Sequence, residues 1–124
     1  MPTILFLCVA NAARSQMAEG LARATAPRGW RFYSAGSEPG VLNPLAVAAL
    51  QEIGIDISHH RAKGLDDVSL SDVDTIVTLC ADEVCPVVPA NVRRLHWPLP
   101  DPAGLRAYRE VRDRLAELLP TLWR

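Results

Sequence analysis

The feature that most constrains the fold is an uninterrupted run of apolar and β-branched residues near the start of the chain, Thr3–Val9. A run without alternating polar residues is typical of a strand buried on both faces of a parallel sheet. Further strands are predicted at Trp30–Ser34, Thr75–Leu79 and Val92–Trp97, and helices at Ser15–Thr25, from Pro44 to Gly54 and from Leu105 to Leu122. This alternation predicts an α/β fold with a parallel sheet covered by helices on both faces.

The length and charge of the chain limit the functions that it can serve. With 124 residues it has room for one compact domain, predicted to span residues 1–124. A net charge of −1 and a pI near 6.3 provide no general attraction for nucleic acid or for an anionic membrane. Only one of the 13 basic residues is a lysine, Lys63, and its neighbours are not those of a nucleotide-binding phosphate loop. Any anion must therefore be bound by a local arrangement of residues.

Three cysteines, Cys8, Cys80 and Cys85, indicate the compartment in which the chain works. An odd number of cysteines without a signal-peptide pattern does not resemble a secreted disulfide framework. The apolar run at Thr3–Val9 is too short to cross a bilayer. We therefore predict a cytoplasmic protein.

A short loop between the first strand and the first helix is the strongest candidate for a functional site. It begins at Cys8, continues through five residues and ends at Arg14 and Ser15. The five intervening residues are Val9, Ala10, Asn11, Ala12 and Ala13. Five residues allow the backbone to curl around a tetrahedral oxyanion, with amide N–H groups pointing inward and the helix N-terminus behind them. The guanidinium of Arg14 would then bind two oxygens of the anion.

Cys8 at the base of such a loop is a candidate nucleophile. The amides, the helix end and the charge of Arg14 all favour a thiolate, and Ser15 can donate a hydrogen bond to the sulfur. Asn11 can brace the loop or adopt a left-handed turn. The competing interpretation makes Cys8 a small buried strand residue and Ser15 a helix cap. The position of the loop between a buried strand and a helix favours the functional interpretation.

Two further candidates lie at the same edge of the predicted sheet. Cys80 follows the third strand and Asp101 follows the fourth, and ligands of parallel sheets bind outside the carboxyl ends of the strands. Asp101 is a candidate general acid. Because it precedes Pro102 before the last amphipathic segment, the alternative is that it caps the last helix.

The loop is one of six motifs spread over nearly the whole chain. They are Cys8–Gly20, Tyr33–Gly36, Ile53–Asp56, Thr78–Cys80, Cys85–Pro86 and His96–Pro102. In this order they resemble the low-molecular-weight tyrosine phosphatase superfamily, and more narrowly its thioredoxin-coupled arsenate reductases. The resemblance implies a four-stranded parallel sheet flanked by helices. The chain departs from the family pattern at Ala12 and Ala62, where serine or threonine is common.

The resemblance implies reduction of arsenate to arsenite, with phosphate as an analogue, thioredoxin as the reductant and no cofactor. Cys8 would form a thiol–arsenate adduct while Asp101 protonates the departing oxygen. Cys80 would then attack Cys8 and release arsenite, and Cys85 would attack Cys80 and carry the disulfide to thioredoxin. Which of these two cysteines resolves Cys8 is open, because their spacing is shorter than in the best-known relatives.

Other functions remain open at this level. The same loop would support a phosphatase acting through a phosphocysteine. Against this, Ala103 and Gly104 follow the Asp-Pro pair, where many tyrosine phosphatases of the superfamily carry an aromatic residue. The chain could also be a non-catalytic oxyanion or redox sensor. A small thiol such as glutathione or mycothiol could replace thioredoxin as the electron donor.

Metal binding is the last point that the sequence addresses. The cysteines and histidines lack the paired spacing of a zinc site. In some relatives a potassium ion is held near the loop by residues resembling Asn11, Glu19 and Ser34. For this chain we predict no metal.

Overall fold

The framework of the computed structural model, which describes residues 2–81 and 91–124, is a four-stranded sheet. Its strands are β1 (Thr3–Cys8), β2 (Arg31–Gly36), β3 (Thr75–Thr78) and β4 (Arg93–His96). All neighbouring strands are parallel, and their order is β2-β1-β3-β4. The predicted four-stranded parallel sheet is confirmed. Strand β1 lies inside the sheet, in agreement with its uninterrupted apolar sequence.

Helical segments cover both faces of this sheet. The α-helices are α1 (Arg14–Thr25), α2 (Pro44–Gln51) and α3 (Leu105–Leu118), and short 3-10 helices span Leu65–Asp67, Leu70–Asp72 and Leu119–Leu122. Residues of all three α-helices belong to one apolar core. A smaller core on the opposite face contains Val68 and Val73, from the segment that includes the first two 3-10 helices. Within the described residues, no helix is long and apolar enough to cross a membrane.

Alternation along β1 assigns its side chains to the two cores. Ile4 and Phe6 belong to the core that contains the α-helices, whereas Leu5 and Leu7 belong to the core on the other face. Burying a large apolar side chain of this kind stabilises a fold by about 1.5–3 kcal/mol. Strand β1 therefore anchors the loop that follows Cys8 to the interior of the molecule.

The start of the last helix corrects one role considered for Asp101. Helix α3 begins at Leu105, and the residue at its N-cap is Gly104, whose φ of 82° suits glycine. The alternative in which Asp101 caps this helix is therefore wrong. The helix also ends at Leu118, before Pro120 in the following 3-10 helix, rather than continuing to Leu122.

Candidate active site

Three carbonyl oxygens of the loop accept hydrogen bonds from the segment 38–43. The bonds run from Glu38 N to Val9 O, from Gly40 N to Ala10 O and from Asn43 N to Ala12 O, each 2.9 Å long. The N–H of a trans peptide points opposite to its C=O. The N–H groups of Ala10, Asn11 and Ala13 therefore point away from this segment, towards the interior of the loop. This orientation is the one that binding an oxyanion requires.

Cys8 lies at the base of the loop with its sulfur against two hydrogen-bonding groups. The amide N–H of Asn11 donates to Cys8 Sγ over 3.2 Å. The hydroxyl of Ser15 lies 2.8 Å from the same sulfur. Cys8 is buried and is a free thiol. Its sulfur therefore lies where it can be stabilised as a thiolate by donors from the loop and from α1.

Asn11 determines which way the Ser15 hydroxyl donates. Asn11 Oδ1 accepts from Gln16 Nε2 at 2.9 Å and from Lys63 N at 2.8 Å. Its Nδ2 therefore faces Ser15 Oγ, 2.7 Å away, and donates to it. With its oxygen occupied as an acceptor, the Ser15 hydroxyl directs its own proton towards Cys8. Asn11 also has a φ of 50°, so the left-handed turn and the bracing role both occur. The N-cap of α1 is Ala13, so Ser15 lies inside the helix and does not cap it.

The end of β2 makes room for the loop, a role that the sequence pattern did not reveal. Gly36 pairs with Cys8 in the sheet. A Cβ placed on Gly36 would lie 2.3 Å from Val9 O and 2.8 Å from Asn11 N. Only a residue without a side chain allows the loop to pass so close. The strand predicted at Trp30–Ser34 stops before Ala35 and Gly36, so its pattern gives no sign that Gly36 makes room for the loop.

Arg14 and Asp101 meet at the edge of the loop. Arg14 is buried, and its NH1 donates to Leu99 O at 2.9 Å. Its NH2 lies 3.9 Å from Asp101 Oδ1, and the side chain of Asp101 is 75% exposed. The carbonyl bond holds the guanidinium in place, whereas the carboxyl at the rim is accessible to a bound anion and to water.

Tyr108 of α3 is a further residue whose ionisation this pair influences, and the sequence pattern assigns it no role at the site. Burial raises the pKa of Tyr108 above its usual value, and the nearby Asp101 carboxylate raises it further, while Arg14 lowers it. The phenol therefore stays neutral beside the charged pair. Helical periodicity could not distinguish this tyrosine from a packing residue.

The predicted relay cysteines are only partly within the described residues. Leu79 N donates to Leu7 O at 2.9 Å, which continues the pairing of β3 with β1. This bond places Cys80 just beyond the strand end, next to the edge where Cys8 lies. Cys80 is buried and disulfide-bonded. Cys85 lies in 82–90, outside the described residues.

Comparison with known proteins places this site in a family. A model described as low molecular weight phosphotyrosine protein phosphatase matches residues 3–124. The chain belongs to this family. One relative is arsenate reductase 2 of Staphylococcus saprophyticus subsp. saprophyticus, 45% identical over 119 residues, which are 93% of this chain and 91% of that protein.

Solved structures agree with this assignment to the phosphatase family. An arsenate reductase in the phosphate binding state has a TM-score of 0.88 and 31% identity, over 98% of this chain and 96% of that chain. A thioredoxin-dependent arsenate reductase from Corynebacterium glutamicum has a TM-score of 0.78 and 33% identity. That match covers 99% of this chain and 62% of the Corynebacterium chain.

The potassium site implied for some relatives does not fit this member of the family. The ammonium of Lys63 lies 3.4 Å from Glu19 Oε1 and 3.4 Å from Ser34 Oγ. A cation thus already lies against two of the three residues that would hold potassium. A second cation at the same oxygens would be repelled by the first. The side chains around Glu19 therefore accommodate the charge of Lys63 rather than a metal ion.

Proposed function

We propose that the protein is an arsenate reductase in which Cys8 is the nucleophile and thioredoxin is the reductant. One observation carries the proposal: the sulfur of Cys8 lies at the base of a loop with inward amides, beside Arg14 and Asp101. The arsenate reductases among its relatives support the choice of substrate. The thioredoxin-dependent neighbour supports the choice of electron donor.

The first step forms a bond between sulfur and arsenic. Arsenate binds in the loop, where the amides and the guanidinium of Arg14 hold its oxygens. The Cys8 thiolate attacks arsenic, an As–O bond breaks, and the leaving oxygen takes a proton from Asp101 and departs as water. The hydrogen bond from Ser15 keeps the thiolate in place before attack. Arsenic is still in its +5 state in the adduct.

The second step transfers two electrons to arsenic. The thiolate of Cys80 attacks Cys8 Sγ, an S–S bond forms, and the electron pair of the S–As bond leaves with arsenic as arsenite. The thiolate of Cys85 then attacks Cys80 and releases Cys8 as a thiolate. The dithiol of thioredoxin finally reduces the Cys80–Cys85 disulfide and is itself oxidised.

The electron source also bears on domain organisation and compartment. The residues of the proposed site span Cys8 to Asp101, so we treat residues 1–124 as one catalytic domain. In this proposal the electrons come from thioredoxin, a separate protein. The cytoplasm is the compartment in which thioredoxin keeps such cysteines reduced.

The decisive assay is arsenate-dependent oxidation of NADPH in the presence of thioredoxin and its reductase. The wild type should turn over many times, and Cys8→Ser should be inactive. Cys85→Ser should release one arsenite per chain and then stop, because its Cys8–Cys80 disulfide cannot be passed on. Multiple turnover by Cys85→Ser with thioredoxin would show that the relay is wrong.

Hydrolysis of an aryl phosphate tests the second candidate, a phosphatase, which membership of the family favours. A phosphatase needs Cys8 but neither Cys80 nor Cys85. If the wild type hydrolyses the aryl phosphate well and does not turn over arsenate, the reductase proposal is wrong. Retention of aryl phosphate hydrolysis in Cys85→Ser is the internal control that the loop is still folded.

A further inference from the structure

The only lysine of the chain lies behind the oxyanion loop rather than on an open surface. The side chain of Lys63 is 19% exposed. Its ammonium lies 3.4 Å from Glu19 Oε1, 3.4 Å from Ser34 Oγ and 3.5 Å from Arg61 O. The Ser34 hydroxyl donates its proton to Glu19 Oε1 at 2.6 Å. The lone pairs of the Ser34 oxygen are therefore available to accept from the Lys63 ammonium. The lysine therefore supplies the positive charge next to Glu19 Oε1, Ser34 Oγ and Arg61 O.

The carboxylate of Glu19 explains why a cation is required at this position. Glu19 lies on α1 and is 2% exposed. A buried carboxylate is stable only when nearby charges and hydrogen bonds replace the water that it has lost. Arg23 contacts Oε2 at 2.9 Å, whereas Lys63 is the cation on the Oε1 side. The two cations therefore face different oxygens of Glu19.

The backbone of Lys63 connects this charge to the catalytic loop. Lys63 N donates to Asn11 Oδ1 at 2.8 Å, and Lys63 O accepts from Gly36 N at 2.9 Å. One residue thus joins the buried carboxylate on α1, the end of β2 and the loop residue that orients the Ser15 hydroxyl. A displacement of Lys63 would therefore shift Asn11. Because Asn11 orients the Ser15 hydroxyl, it would also disturb the hydrogen bond from Ser15 to Cys8 Sγ.

We propose that Lys63 is a positioning residue whose ammonium acts as a built-in cation for the loop, in place of an external monovalent ion. The inference rests on the proposed function, because it says which residue holds the same loop in the conformation that binds an oxyanion. The ion pair with Glu19 holds residues 60–64 against α1. Residues 60–64 in turn hold Asn11 in its left-handed conformation. A compact ammonium suits this role better than a planar guanidinium, because it can approach Glu19 and Ser34 together.

The test removes the charge of Lys63 while keeping its backbone bonds. Lys63→Met retains the length of the side chain, and Lys63→Ala opens a space that a small alkylammonium ion can enter. Arg106→Met is the matched control, because Arg106 is 93% exposed on α3 and lies outside the site. The first readout is kcat/KM for arsenate with all three cysteines present. The other two are measured in a Cys80→Ser/Cys85→Ser background: the pH midpoint for alkylation of Cys8 by iodoacetamide, and the inhibition of this alkylation by inorganic phosphate.

We expect Lys63→Met to lower kcat/KM by about 10- to 100-fold, the scale of loss from a misplaced catalytic group. It should also weaken phosphate inhibition and raise the pH midpoint of Cys8 alkylation by about one unit. Ethylammonium or propylammonium should partly restore Lys63→Ala, and tetramethylammonium, which is too large, should not. Arg106→Met should match the wild type in every readout.

An unchanged alkylation midpoint in Lys63→Met overturns the proposal, whatever happens to turnover. Loss of turnover without a shifted midpoint and without rescue by amines would indicate a purely structural role and also overturns it. If Lys63→Met does not fold, Lys63→Gln replaces it, because its amide can still donate hydrogen bonds but carries no charge, and an unchanged midpoint is again the contrary result. Alkylation and phosphate binding do not depend on arsenate reduction, so failure of the proposed function would be recognised separately.

Discussion

Two glutamates of this chain are each held between two cationic side chains, but in surroundings of opposite exposure. Glu19 on α1 contacts Arg23 and Lys63 and is 2% exposed. Glu52 follows α2 and contacts Arg109 and Arg112 of α3, and its side chain is 36% exposed. Glu19 shares a partner, Lys63, with Asn11 of the loop. It shares another, His60, with Gln16 of α1. The Glu52 cluster instead joins two helices at the surface.

The difference shows that short contacts do not by themselves measure the importance of an ion pair. Glu52 has the shorter contacts with both of its cations, and the hydrogen bond from Arg109 is the main reason that its pKa is lowered to about 2. Water can nevertheless replace those contacts, and exposed pairs of this kind contribute little to stability. Glu19 has lost its water, so its partners cannot be replaced.

Removal of the buried charge is therefore the largest effect that we predict from this comparison. Glu19→Gln keeps the shape of the side chain and an oxygen for the Ser34 hydroxyl, but leaves Lys63 and Arg23 without a counter-ion. Breaking a buried pair in this way should lower the free energy of unfolding by about 3 kcal/mol. Urea titration at neutral pH measures this loss, and arsenate turnover should fall with it because Lys63 is released.

The double variant Glu19→Gln/Lys63→Met is the control for this prediction. If the cost comes from unpaired charge, removing both partners should be less damaging than the sum of the single losses. Additive losses would mean that Glu19 and Lys63 act independently. That result would contradict the comparison with Glu52.

The sequence predicts the loop and the sheet better than it predicts this buried cluster, for a physical reason. Strand β1, the loop and α1 are contiguous, and local periodicity and turn length determine them. The cluster instead joins Glu19 of α1, Ser34 of β2 and Lys63, which follows α2. These residues are far apart along the chain. Only the arrangement of β2 next to β1 brings them together, so no local pattern identifies Lys63 as a partner of the loop.

His60 provides an intermediate effect that depends on pH. Burial lowers the pKa of His60 from its ordinary value of 6.5, although the Glu19 carboxylate opposes the shift and His59, Arg23 and Lys63 add to it. As the pH falls below about 6.5, the unfolded chain takes up a proton at His60 before the folded chain does. The contribution of neutral His60 to the free energy of unfolding should therefore be fully present above this pH and should decline below it.

His60→Gln should reduce this decline, as measured by thermal unfolding between neutral and mildly acidic pH. Glutamine can still donate to Gln16 Oε1, the atom that His60 Nδ1 contacts at 3.0 Å. His96→Gln, at an exposed position on β4, is the matched control and should retain the wild-type slope. If both variants follow the wild type, the acid sensitivity of the buried cluster does not come from His60.

The exposed glutamate should give the smallest effect, which makes it the sharpest check on the comparison. The pKa of Glu52 is lowered to about 2, so its contribution is present at neutral pH and is lost as the pH falls from its ordinary range towards 2. Glu52→Gln should lower the midpoint of thermal unfolding several-fold less than Glu19→Gln does. Molar salt should abolish the small difference in unfolding midpoint between Glu52→Gln and the wild type, because exposed charges are screened. It should leave most of the difference between Glu19→Gln and the wild type. Equal losses from the two variants, or equal sensitivity to salt, would mean that burial does not distinguish the two clusters.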